Sequence, residues 1–143
     1  MPKVLRKILI VDDDPSMVKV LEKWLKMDGY VSICARTGED GFNMTKAEKP
    51  DLVLMDLMLP DINGVQVIRR IVNDPEIKGI PIVCITVTMG VEMDKGDEKI
   101  DVDGRLFRAF AKPLHQRKLL SVIRKEINIA VNNNQSINLP FTP

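Results

Sequence analysis

One apolar run, Leu52-Val53-Leu54-Met55, constrains the fold most; it follows Pro50 and ends on the carboxylate of Asp56. Its residues do not alternate with polar ones, as they would in a strand with one solvent-exposed face. The run therefore predicts a strand buried on both faces, as in the middle of a parallel sheet. Ligands of such sheets bind at the carboxyl ends of the strands, where Asp56 lies. Taken alone, a strand-end aspartate more often caps the next loop.

The rest of the chain alternates between strand and helix patterns. Apolar or alternating segments predict strands at residues 7–11, 31–35, 80–86 and 106–111. Apolar residues at helical spacing predict helices near residues 15–29, 65–72 and 119–127. Residues 38–48 predict a weak helix, because two glycines and a threonine lower its propensity. Strands that alternate with helices predict right-handed βαβ units, and therefore an α/β fold with a parallel sheet.

Length and composition exclude several classes of protein. The 143 residues carry a formal net charge of +1, which gives no electrostatic case for nucleic acid or a membrane surface. No apolar run is long enough to span a bilayer and no signal-peptide pattern is present, so we expect a cytoplasmic location. Cys34 and Cys84 lie in apolar runs and are expected to be free thiols; with His115 they supply too few ligands for zinc. We expect one domain over residues 1–131, followed by a tail or truncated linker at 132–143.

Polar side chains follow four of the predicted strands: Asp12 and Asp13, Asp56, Thr86 and Lys112. The carboxyl ends of parallel strands meet at one sheet edge, so these side chains are expected to converge. Clustered carboxylates repel one another and are stabilised by a hard divalent cation, and Mg²⁺ suits a site that keeps room for water and a phosphoryl group. An aspartate beside Mg²⁺ and opposite a lysine is a candidate nucleophile toward phosphorus.

Five motifs together resemble the receiver domain of bacterial two-component response regulators, of the chemotaxis-regulator-like kind. The resemblance runs from about residue 4 to 127 and implies a flavodoxin-like fold with a five-stranded parallel sheet, strand order 2-1-3-4-5, and helices on both faces. The motifs are Ile8-Leu9-Ile10-Val11-Asp12-Asp13-Asp14-Pro15, Pro50-Asp51-Leu52-Val53-Leu54-Met55-Asp56, Met58-Leu59-Pro60 with Gly64, Pro81-Ile82-Val83-Cys84-Ile85-Thr86, and Lys112-Pro113.

The resemblance also implies a role for each candidate residue. Asp56 would accept a phosphoryl group from a sensor histidine kinase or a phosphotransfer protein. Asp12 and Asp13 would form the acidic pair for Mg²⁺, with direct ligands from Asp13, Asp56 and the Met58 backbone carbonyl. Thr86 would close onto the phosphoryl group and Lys112 would pair with it, its bond to the following proline being cis. The protein would be a switch that catalyses only its own phosphorylation and dephosphorylation and changes its partner interactions. A homodimer is left open, and no direct nucleic-acid binding is expected.

Three features depart from the family pattern. Val87 stands where a small residue usually follows the threonine, and would crowd the phosphoryl pocket. Ala109 stands at the position of the aromatic switch residue, so an aromatic flip is not available. The segment between Thr86 and Lys112 is longer than usual and rich in glycine and charge. We therefore predict that residues 88–105 are mobile or irregular and become ordered on phosphorylation.

Two alternative functions stay open. Asp12-x-Asp14 after an apolar strand also resembles the first motif of haloacid-dehalogenase-type phosphatases, although Asp56 would then have no role. A receiver-like scaffold that is never phosphorylated is the second alternative. Val87 and Ala109 keep it open, whereas the intact site residues argue against it: Asp13, Asp56, Thr86 and Lys112. Output would pass through a partner, or the chain is a piece of a longer regulator. In the tail, we predict that the apolar residues rest on a protein surface; they are Ile137, Leu139 and Phe141.

Overall fold

Strands and helices alternate along most of the computed structural model, which describes residues 5–87 and 98–138. The elements are β1 (Lys7–Val11), α1 (Pro15–Met27), β2 (Val31–Ala35), α2 (Gly38–Glu48), β3 (Leu52–Asp56), α3 (Gly64–Val72), β4 (Ile82–Thr86), β5 (Glu98–Val102), β6 (Arg105–Ala111) and α4 (Gln116–Asn138).

The strands form one sheet of six, in the order β2-β1-β3-β4-β6-β5. Neighbours from β2 to β6 are parallel, and only β5 and β6 are antiparallel. The predicted α/β fold is confirmed, and the five predicted strands stand in the expected order. The prediction of five strands is wrong by one, because β5 adds an antiparallel strand at the edge. That strand also corrects part of the predicted irregular segment, since residues 98–102 form a strand, residues 103–104 form a turn and residue 105 begins β6. Residues 88–97 lie outside the described residues.

A tight turn explains the extra strand. Val102 pairs with Arg105, so Asp103 and Gly104 alone connect β5 to β6. Both have positive φ, 54° at Asp103 and 91° at Gly104, as a type I′ hairpin turn requires. Asp-Gly is a preferred pair for this turn because both residues tolerate that backbone region. On β5, Ile100 and Val102 pack toward the core while the residues beside them are exposed.

Apolar side chains fill both sides of the sheet, as the run in β3 predicts. All five residues of β3 are buried. Leu52 and Leu54 pack in a core with α1 and α4, whereas Val53 and Met55 pack in a second core with α3. Because both faces are covered, the polar groups of this strand are accessible only at its ends.

The helix ends follow the local sequence. Asp14 is the N-cap of α1 and accepts a hydrogen bond from the Ser16 N–H at 3.0 Å, and Pro15 occupies the first turn. The last helix continues past residue 131 to Asn138, so the predicted domain boundary stays a prediction. The predicted contact of the apolar tail residues lies outside the described part of the chain, which includes neither the Ile137 side chain nor Leu139 and Phe141.

Two further sequence expectations concern the thiols and membranes. Cys34 and Cys84 are both free, and burial raises the pKa of the Cys84 thiol to about 12. In the described part of the chain, none of the helices combines the length and apolar character needed to cross a bilayer.

Candidate functional site

Four parallel strands deliver polar side chains to one edge of the sheet. Asp12 and Asp13 follow β1, Asp56 ends β3, Thr86 ends β4 and Lys112 follows β6. One carboxylate oxygen from each of the three aspartates lies within 4.8 Å of the other two. The three predicted carboxylates therefore converge, and they have the spacing of a cation site.

Lys112 supplies positive charge to the two buried carboxylates. Its Nζ lies 3.6 Å from Asp56 Oδ2 and 3.7 Å from Asp12 Oδ2. The backbone holds this residue in place, since its N–H donates to the Thr86 carbonyl at 2.9 Å. The Lys112–Pro113 bond is cis, as the resemblance implies.

Asp12 is the most constrained of the three carboxylates, with 1% of its surface exposed. Its Oδ1 accepts a hydrogen bond from the Asp14 N–H at 3.0 Å, whereas Oδ2 is buried with no hydrogen-bond partner among the described residues. Burial is the main reason that the pKa of Asp12 rises from 3.8 to about 6; the charge of Asp56 adds to the rise, and Lys112 opposes it. A cation bound here would compensate for the hydrogen bond that Asp12 Oδ2 lacks.

Asp56 is 3% exposed, and the loop that follows β3 holds its carboxylate in place. Its Oδ1 accepts a hydrogen bond from the Met58 N–H at 3.0 Å. Gly64 passes so close that a Cβ there would lie 2.5 Å from the Asp56 carbonyl oxygen. The contact seen at Met58 is made by its amide, so a role for its carbonyl stays a prediction.

Comparison with known proteins decides the family. A family model described as the response regulator receiver domain matches residues 8–124. The chain belongs to this family. Among curated relatives, PilH of Pseudomonas aeruginosa is 40% identical over 89 residues, which cover 62% of this chain and 73% of PilH. The polar-differentiation response regulator DivK of Brucella anthropi is 28% identical over 130 residues, covering 91% of this chain and all of DivK.

Solved structures share the receiver fold. A putative response regulator from Chloroflexus aurantiacus superposes with a TM-score of 0.75 at 26% identity, covering 87% of this chain and 99% of the other. The receiver domain of sensor histidine kinase PA1611 from Pseudomonas aeruginosa, solved with magnesium in its active-site cleft, has a TM-score of 0.74 at 22% identity. The two coverages are again 87% and 99%.

The structure places the two residues that the sequence analysis set against the family pattern, Val87 and Ala109. Val87 follows Thr86 and keeps half of its surface exposed, at 50%. Among residues 5–87 and 98–138, the Thr86 hydroxyl donates one long hydrogen bond, 3.4 Å to the Val87 carbonyl. Ala109 is fully buried in the core beside α3 and pairs with Cys84.

Asp61 was not singled out by the sequence, yet it ties the site loop to α2. Its carboxylate accepts hydrogen bonds from the Gly38 N–H at 2.8 Å and the Glu39 N–H at 3.0 Å. These bonds hold the pKa of Asp61 down at about 2. Its position after Pro60 is typical of a turn, but the identity of the helix that it caps depends on the folded chain.

Proposed function

We propose that this receiver domain is a phospho-accepting signalling switch with Asp56 as the acceptor. The observation that carries the proposal is the meeting of three carboxylates and one ammonium group at the carboxyl edge of the sheet. Asp56 ends the central strand β3; one of its carboxylate oxygens lies within 4.8 Å of those of the acidic pair, and its Oδ2 lies 3.6 Å from Lys112 Nζ.

The donor set fits Mg²⁺. Asp12, Asp13 and Asp56 offer oxygens at mutual distances suited to one ion, and hard divalent cations prefer such ligands. Asp12 Oδ2 is buried without a hydrogen bond among the described residues, which a cation nearby would compensate. We assign Asp13, Asp56 and the Met58 carbonyl as direct ligands, with Asp12 supporting them. When bound, Mg²⁺ neutralises negative charge on the incoming phosphoryl oxygens.

The chain's own residues supply the remaining chemistry. A carboxylate oxygen of Asp56 attacks the phosphorus of a donor phosphohistidine; the new P–O bond forms as the P–N bond breaks, and the imidazole leaves with the electron pair. The Lys112 ammonium faces the developing charge, because it already lies 3.6 Å from Asp56 Oδ2. The Thr86 hydroxyl is free to turn from its long bond toward a phosphoryl oxygen.

In this proposal, phosphorylation changes the structure at the carboxyl ends of β4 and β6. Lys112 follows β6 directly and is bonded to Thr86 through its backbone, so a change at the phosphoryl group acts on both strands. Ala109 leaves no aromatic side chain to move. We propose a sensor histidine kinase or phosphotransfer protein as the upstream partner and a cytoplasmic location, as is typical of receiver domains.

The decisive experiment is intact-mass spectrometry after incubation with acetyl phosphate and Mg²⁺. We expect one added phosphoryl group on the native chain, none on Asp56→Asn, and none in excess chelator. Asp40→Asn, which alters an exposed carboxylate on α2, is the matched control and should behave as the native chain. Phosphate retained by Asp56→Asn would overturn the assignment, and no uptake by the native chain would favour the scaffold. Turnover of a phosphate monoester would favour the phosphatase.

A further inference from the structure

The β5 strand forms one edge of the sheet, and β6 is its only strand neighbour within residues 5–87 and 98–138. An edge strand presents backbone N–H and C=O groups that can pair with another strand. In this receiver domain the edge strand is five residues long and antiparallel to its neighbour. It is the strand that the five-stranded prediction lacked.

The register determines which backbone groups face the open edge. Val102 and Arg105 flank the two-residue turn and therefore form a hydrogen-bonded pair. Bonded and non-bonded pairs alternate along an antiparallel ladder, so Ile100 also bonds to β6. The N–H and C=O groups of Lys99 and Asp101 consequently point away from β6, toward the edge.

The side chains of the same two residues carry opposite charges and are both exposed. Lys99 lies opposite Arg108 on β6, so its neighbour across the strand pair carries the same charge. Asp101 accepts one hydrogen bond, from the Gly104 N–H at 2.8 Å, and its carboxylate has capacity for more. The edge therefore offers one cation and one anion, two residues apart on one face.

We propose that β5 pairs with β5 of a second copy of this chain, antiparallel about a twofold axis at Ile100. Lys99 then lies opposite the partner's Asp101, and Asp101 lies opposite the partner's Lys99. Both pairs are hydrogen-bonded pairs, so the two strands exchange four backbone hydrogen bonds. The result is one continuous sheet across the two copies.

The charges select this register over its neighbours. Shifting the strands by two residues places Lys99 against the partner's Lys99, or Asp101 against the partner's Asp101, and like charges directly opposite are destabilising. Shifting by one residue places Lys99 or Asp101, whose backbone groups face the edge, opposite a residue whose backbone groups already bond to β6. The hydrogen bonds between the copies are then lost. Only the register centred on Ile100 satisfies both the backbone and the side chains.

Apolar surface beside the edge adds to the proposed contact. Leu106 pairs with Asp101 and is 59% exposed. Ile129 of α4 is also exposed and lines the same cavity as Lys99 and Leu106. A second copy at the edge would remove part of this surface from water. The strand pair alone is smaller than a standard stable interface, so we expect weak association, with a Kd of roughly 1–100 μM.

Sedimentation of the full chain tests the proposal through a charge exchange. The native chain should shift toward twice its 16.2 kDa mass as its concentration rises. Lys99→Asp alone and Asp101→Lys alone each place like charges opposite one another, and should weaken association at least tenfold. Mixing the two variants should restore it, because every opposed pair then has opposite signs. Lys23→Asp, on the exposed face of α1, is the matched control and should associate as the native chain does.

A native chain that is monomeric at all concentrations would overturn the proposal, as would dimers that Lys99→Asp leaves unchanged. Circular dichroism establishes that each variant is folded. Should Asp101→Lys fail to fold, Ile100→Cys gives a second test, since the Cα atoms of a non-hydrogen-bonded pair stand about 4.5 Å apart, within reach of a disulfide. Mild oxidation should crosslink Ile100→Cys between chains and leave Leu106→Cys uncrosslinked. Equal crosslinking of the two would contradict the register.

Discussion

Lys112 Nζ lies almost equidistant from two buried carboxylate oxygens, 3.6 Å from Asp56 Oδ2 and 3.7 Å from Asp12 Oδ2. One lysine therefore offsets the charge of two carboxylates that are 3% and 1% exposed. A buried charge that loses its partner is costly, so this lysine has a structural role in addition to the proposed chemical one.

Replacing this lysine should expose its structural role. We expect Lys112→Met to lower the free energy of unfolding by roughly 1–3 kcal/mol at pH 8 in chelator, and by less at pH 5, where Asp12 is largely protonated. Saturating Mg²⁺ should recover most of the loss at pH 8. Urea unfolding measures each value, with Lys118→Met as a control on exposed α4 surface. An equal loss at both pH values would show that charge compensation is not the cause.

Asp12 should make the stability of the metal-free protein depend on pH in an unusual direction. Its pKa in the folded chain is about 6, above the ordinary 3.8, so the folded state binds this proton more tightly than the unfolded state does. The stabilisation is complete below pH 3.8 and is lost as the pH rises through 6. In chelator, the free energy of unfolding of Asp12→Asn relative to that of the native chain should therefore rise by roughly 1–2 kcal/mol between pH 4 and pH 8, allowing for solvent screening.

Urea midpoints at several pH values measure that difference. A gap between Asp12→Asn and the native chain that stays constant with pH would contradict the raised pKa. The same measurement in Mg²⁺ is the control, because a bound cation favours the ionised carboxylate and should reduce or reverse the advantage of the variant.

Gly64 should be required for the position of Asp56. A Cβ at residue 64 would lie 2.5 Å from the Asp56 carbonyl oxygen and 2.7 Å from the Leu57 Cα, and neither backbone atom can move without moving the acceptor loop. We expect Gly64→Ala to lower stability by about 1–3 kcal/mol and to slow phosphorylation by acetyl phosphate. Gly79→Ala, where no atom lies within 4 Å of the added Cβ, should change neither the unfolding midpoint nor the rate by much. Native rates in Gly64→Ala would show that the loop tolerates displacement.

The site could be predicted from the sequence because parallel strands share a direction. Once β1, β3, β4 and β6 are recognised as parallel strands of one sheet, their last residues must lie at one edge, whatever the exact packing. The pKa of Asp12 could not be predicted in this way, since it follows from burial in the folded chain. The capping of α2 by Asp61 was equally hidden, because the two partners are 23 residues apart in sequence.

The β5–β6 hairpin is a part of the fold that the sequence analysis did not predict. Glycine and charge between residues 88 and 105 correctly argued against a stable helix for the part now described, but irregular structure does not follow from poor helix propensity. Ile100 and Val102 alternate with polar residues ahead of Asp103-Gly104, and that pattern is a hairpin signal available from the sequence.

The turn should therefore control the stability of β5. Gly104 has a φ of 91°, and although no atom lies within 4 Å of an added Cβ, an L side chain is strained in that backbone region. We expect Gly104→Ala to lower the free energy of unfolding by about 1–2 kcal/mol and to increase amide exchange of Ile100 and Val102, which bond to β6. Asp103→Asn is the matched control, because asparagine also suits a positive φ and only the exposed ion pair with Arg69 is lost. Equal effects of the two substitutions would mean that the turn does not depend on the backbone freedom of Gly104.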